Sequence, residues 1–113
     1  KSGLSKDHKK AADFFKLACD AGNGVGCGML GMLYKLGEGV EKDVVKSTAM
    51  LEKSCEKDMG GSCYLAGMAY FKGSKEVPKD LLKGAKLWVK GCKLDDKESC
   101  KAMRTVMKVL KKK

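Results

Sequence analysis

Six cysteines fall into three pairs, Cys19/Cys27, Cys55/Cys63 and Cys92/Cys100, and the members of each pair stand eight residues apart. The pairs recur after 36 and then 37 residues, so the thiols mark a repeating unit. An even cysteine count at regular spacing in a short chain reads as a disulfide framework. Many pairings are open to six thiols, but a repeat in which every unit carries its own pair selects the local one. Zinc is the competing reading. It favours closer cysteine spacings, and His8 is the only histidine. The spacing therefore predicts three structural disulfides, no metal site and no cofactor. An oxidising compartment follows, either periplasmic or secreted.

The units align on Asp7, Asp43 and Asp80. Five residues further on stand Ala12, Thr48 and Ala85; eight further on, Phe15, Leu51 and Trp88; eleven further on, Ala18, Ser54 and Gly91. Apolar and small positions at steps of three and four describe a helix with one buried face. An Asp at its start suits the positive end of the helix dipole and can cap it. Short polar breaks follow at 20–24, 56–61 and 94–97, where Gly and Asn permit the positive φ that ends helices. A second helical pattern opens beside the second cysteine, with Gly31 and Gly67 mid-helix at equivalent places. Glycine there costs about 1 kcal/mol against alanine, so its recurrence predicts a close backbone approach. Each unit is a helix–turn–helix hairpin, and paired helices at this period predict an all-α solenoid.

The run Leu33-Tyr34, Gly37-Glu38-Gly39-Val40, Lys42-Asp43, Lys46 resembles the Sel1-like repeat, a relative of the tetratricopeptide repeat. With its cysteine pairs the chain is similar to the Helicobacter cysteine-rich group of that family. The likeness covers residues 7 to 113. It implies a domain with repeats at 7–42, 43–79 and 80–113, and with residues 1–6 as the end of a preceding loop. The chain starts at Lys1 without a methionine or a signal peptide, which is expected of a processed chain or a fragment. Unit three departs from the pattern: Arg104 replaces the mid-helix glycine, and Lys111-Lys112-Lys113 follow. A C-terminal capping repeat should look like this.

The charge is +10, yet Arg104 is the only arginine among 24 basic residues. Base and phosphate reading favours arginine's planar fork, so sequence-specific nucleic-acid binding is not expected. No apolar run is long enough to span a membrane. Lys10, Lys46 and Lys83 are equivalent, and Lys53 and Lys90 lie seven residues beyond the last two. A seven-residue step returns to the same helix face. Resemblance to tetratricopeptide solenoids puts first helices on the concave surface, which makes these five lysines a candidate basic stripe. Its ligand would be an acidic peptide or protein segment, or an anionic envelope component. Asp13 and Glu52 dilute the stripe.

Enzymatic readings are weaker. Some cysteine-rich relatives are described as penicillin-binding with weak β-lactamase activity, so the resemblance implies that alternative. Ser54-Cys55-Glu56-Lys57 fits the Ser-x-x-Lys element, but in a lysine-rich chain one such match arises by chance, and no companion element is present. Ser54 occupies the small-residue position of Ala18 and Gly91, which predicts packing. His8 sits near the start of the first helix among lysines, with no nucleophile fixed near it. Trp88 and the methionines Met29, Met32, Met68, Met103 and Met107 read as helix packing. The function expected is a non-enzymatic binding scaffold.

Overall fold

A computed structural model describes the backbone of residues 2–111 and the side chains of 7–109 and 111; Lys1, Lys112 and Lys113 lie outside the described residues. Six helices follow one another: α1 (Ser2–Asp20), α2 (Gly24–Leu36), α3 (Val44–Glu56), α4 (Gly60–Lys72), α5 (Leu81–Lys93) and α6 (Lys97–Lys111). No strand occurs among the described residues. Each helix packs on the next, α2 on α3 and α4 on α5 most extensively, which gives an elongated stack of about 52 × 28 × 21 Å.

Asp43 and Asp80 are N-caps, accepting from the backbone N–H of Lys46 and Lys83 at 3.0 Å each. Their own N–H groups donate to the carbonyls of Tyr34 and Tyr70, tying each first helix to the helix before it. The first unit differs from expectation. Residues 2–6 are helical, so Asp7 lies inside α1 and caps nothing. The break before α3 and α5 is set by that backbone contact with a preceding helix, and residues 2–6 make ordinary helical bonds instead.

Within a hairpin the turn uses one left-handed residue at equivalent places: Gly22 (φ 90°), Asp58 (φ 66°) and Asp95 (φ 65°). Asn23 is not that residue. It caps α2, accepting from Gly26 N–H at 2.8 Å. Asp96 does the same for α6 through Ser99 N–H at 2.9 Å, whereas Met59 heads α4 with no side-chain cap.

Disulfides join Cys19 to Cys27, Cys55 to Cys63 and Cys92 to Cys100, with Cα separations of 4.5, 4.6 and 4.4 Å. Each closes one hairpin. The residues beside them let the helices cross closely. A Cβ on Gly26 would collide with Ala18, Ser54 touches Ser62, and a Cβ on Gly91 would collide with Ser99. In the first hairpin the buried bridge and Leu30 form a cluster covered by Phe15, Tyr34 and Met50. Met50 comes from α3, with its sulfur 3.9 Å from Cys19 Sγ, so one hairpin's bridge is part of the next hairpin's packing surface.

Candidate functional site

The mid-helix glycines set how closely hairpins stack. Leu51 of α3 lies against Gly31 of α2, and Trp88 of α5 lies against Gly67 of α4. Trp88 is 2% exposed, which agrees with a core role, and its indole N–H donates to the Tyr64 carbonyl at 3.1 Å. In the third hairpin Arg104 is exposed on α6 at the place of those glycines. A first helix could not approach α6 as α3 approaches α2.

Four of the five candidate lysines are exposed and Lys90 is half-buried, but their surroundings differ. Lys83 meets Glu52 of α3, Nζ to Oε1 at 3.4 Å, and Lys90 meets Asp58 at 3.8 Å. These contacts align α5 beside α3 and offset two of the five charges. Lys46 and Lys83 also stand over the rings of Tyr34 and Tyr70, 5.6 and 4.6 Å from the centroids. Lys10 and Lys53 have no carboxylate within ion-pair distance among the described residues.

Glu52, Tyr70 and Lys83 form a small network across three helices. Tyr70 donates its hydroxyl to Glu52 Oε2 at 2.6 Å. Burial and then that hydrogen bond hold the phenol above its ordinary pKa, against a smaller opposing pull from Lys83. Lys83 is raised in turn, first by its hydrogen bond with Tyr70 and then by the Glu52 charge.

Ser54 is fully buried. Its hydroxyl donates to the Gly24 carbonyl at 2.8 Å, and Ser62 donates to Ser54 Oγ at 2.6 Å. It holds the helix crossing together and presents no nucleophile to solvent. His8 is half-buried on α1, with Nε2 3.9 Å from Glu38 of the loop that crosses it. Among the described residues, no group of His, Cys, Asp and Glu could hold a metal ion, and no helix is long and apolar enough to cross a membrane.

The methionines depart from expectation. Met29 and Met107 are 43% and 51% exposed, and Met32, Met68 and Met103 are only half-buried. They lie on second helices, where α2 and α4 hardly meet while α4 and α6 touch.

A stack of helical hairpins, each closed by its own disulfide, defines a repeat scaffold of the solenoid class. The Sel1 repeat profile matches residues 2–23, 25–59 and 61–96, and the chain belongs to the Sel1 repeat family. Two of the matches run from the second helix of one hairpin through the first helix of the next, spanning α2–α3 and α4–α5. Sel1 repeats generally mediate protein interactions, and scaffolds of this family are generally not enzymes.

Three solved structures are similar. Helicobacter pylori cysteine rich protein B is 28% identical, with a TM-score of 0.76 over 80% of this chain and 68% of that one. A Sel1 repeat protein from Oxalobacter formigenes is 26% identical, with a TM-score of 0.77 over 87% of this chain and 40% of that one. A protective antigen of uropathogenic Escherichia coli strains with an SLR fold reaches 0.77 at 20% identity, over 84% and 20%, a likeness of fold alone. The chain thus spans less than half of the last two. Comparison with curated proteins gives no significant match.

Proposed function

We propose that this chain is a non-enzymatic scaffold of an oxidising compartment, the periplasm or the extracellular space, that binds a segment of a partner protein. The observation that carries this reading is the placement of the three disulfides. Every hairpin is closed by one, and the bridges also pack between hairpins, as Met50 on Cys19 illustrates. A binding surface built from such units is preformed, so little conformational freedom is lost when a partner docks. Persistent disulfides belong to compartments outside the reducing cytosol.

The first-helix face is the basic surface of this reading. Among the described residues Lys10, Lys46 and Lys53 have no ion-pair partner, while Lys83 and Lys90 are balanced within the fold by Glu52 and Asp58. An acidic partner segment or an anionic envelope component suits it. Affinity purification from the native envelope and secreted fractions, under non-reducing conditions, tests the reading. A defined partner retained by the wild type and lost by Lys46→Glu/Lys53→Glu is the expected result. A protein whose six cysteines are reduced in its native compartment would overturn it.

A further inference from the structure

Two clefts of about 610 and 420 Å³ lie on the opposite, second-helix side, and both are floored by Leu51 and Leu65. They form one trough between α2 and α4, above the buried face of α3. Its existence follows from a size difference at equivalent positions. Leu51 stands in the second unit where the third has Trp88, whose indole packs between Tyr64 and Phe71. The smaller side chain leaves room where α2 and α4 stay apart.

The trough is polar in a directional sense. Both helices run the same way along it. The smaller cleft, towards the N-terminal side, is lined by Met29, Met32 and Met59, and its one carboxylate, Asp58, is paired with Lys90. At their C-terminal ends Lys35, Lys42 and Lys72 surround the larger cleft, and no carboxylate lines it. Thirteen-residue helices make a trough about 20 Å long. That length matches about six residues of extended chain. Methionine side chains are unbranched and polarisable, so they adapt to apolar groups of varied shape.

We propose that this trough is a second docking site, which takes a partner-protein segment with large apolar side chains towards one end and carboxylates towards the other. The carboxylates meet Lys35, Lys42 and Lys72, and the apolar side chains lie on Met29, Met32 and Leu65. Charge complementarity identifies the occupant: an apolar trough ringed at one end by three cations and no anions discriminates against basic or neutral segments.

This inference rests on the scaffold reading but on a different face of the molecule, and one experiment separates the two. The disulfide-intact chain is immobilised and panned against a random 12-residue peptide library. Enriched peptides are then synthesised with a fluorophore and titrated by anisotropy. The expected binders carry apolar residues followed or preceded by acidic ones. Their affinity falls by about tenfold or more in Lys35→Glu/Lys72→Glu, falls in Met32→Glu, and is unchanged in Lys10→Glu/Lys53→Glu. Lys35 and Lys72 are exposed, and far-ultraviolet circular dichroism confirms that their variant is folded. Binders that ignore the trough substitutions but are lost in Lys10→Glu/Lys53→Glu overturn the trough and leave the scaffold reading standing. Failure to enrich any peptide counts against both.

Discussion

The indole of Trp88 lies directly on Gly67, with its N–H donating to the Tyr64 carbonyl one turn earlier in α4. A Cβ at position 67 would overlap indole Nε1 and Cδ1, atoms of a rigid ring that is almost wholly buried. The equivalent Cβ at Gly31 would meet Leu51 Cγ at 2.9 Å and the Ser47 carbonyl oxygen at 3.2 Å, and the leucine side chain can yield where the indole cannot. Alanine gains about 1 kcal/mol in helix propensity at either site, and overpacking costs about 1–3 kcal/mol. Gly67→Ala is therefore expected to destabilise the chain by about 1–2 kcal/mol, and Gly31→Ala by less, at most about 1 kcal/mol. Urea unfolding followed through Trp88, the only tryptophan, measures both; equal costs would show that the ring is not what excludes a side chain.

The disulfides make a graded prediction. Each closes a loop of about nine residues, worth about 2.5 kcal/mol in the chain-entropy estimate. The Cys19–Cys27 bridge is buried and carries Phe15 and Met50, while Cys92 and Cys100 are only half-buried. Cys19→Ala/Cys27→Ala is expected to cost more than Cys92→Ala/Cys100→Ala, by about 1 kcal/mol or more for the added packing loss. Thermal unfolding of the two double variants decides it. Equal losses would mean that loop closure alone matters.

Tyr70 and Lys83 couple stability to alkaline pH. Both groups hold their protons more tightly in the fold than at their ordinary values of 10.0 and 10.5. The unfolded chain therefore releases them first as pH rises. Their contribution is complete below pH 10.0 and is lost as pH climbs through the raised values. The difference in phenolate absorbance between wild type and Tyr70→Phe should show a step above pH 10.0. In Glu52→Gln that step moves down, because the anion that accepts the phenol proton is gone. A step at the same pH in both would remove Glu52 as a cause.

The repeat makes much of this legible in the sequence. Cysteine spacing gives the pairing, the shared register of Phe15, Leu51 and Trp88 gives the buried stripe, and Gly31 and Gly67 give the stacking contacts. A second small-residue series, Gly26, Ser62 and Ser99, recurs with the same period beside the second cysteines and completes the helix crossings. It was readable from the sequence too, but only once paired with Ala18, Ser54 and Gly91. The start of α1 was not legible, because Asp43 and Asp80 become caps through backbone contacts with a preceding helix. Nor were the partners of Lys83 and Lys90. Glu52 and Asp58 are about thirty residues away in sequence, and only the offset between stacked hairpins brings them close. The trough is invisible for a related reason: periodicity describes what the units share, and the trough arises where Leu51 and Trp88 differ.

Ser54 supplies the sharpest separation between packing and catalysis. As a packing group its hydroxyl satisfies the Gly24 carbonyl and receives Ser62. Removing it leaves the half-buried Gly24 carbonyl and Ser62 hydroxyl short of a partner, a cost of about 1–2 kcal/mol. As a nucleophile it would have to become accessible and lose its proton to a base, yet the hydroxyl points at a carbonyl and a second serine. Ser54→Ala is therefore expected to lower the unfolding free energy by about 1–2 kcal/mol and to leave labelling by a fluorescent penicillin unchanged. Intact-mass measurement of the treated proteins reads the adduct directly, and an adduct on the wild type that vanishes in Ser54→Ala would make this residue an acylation site after all.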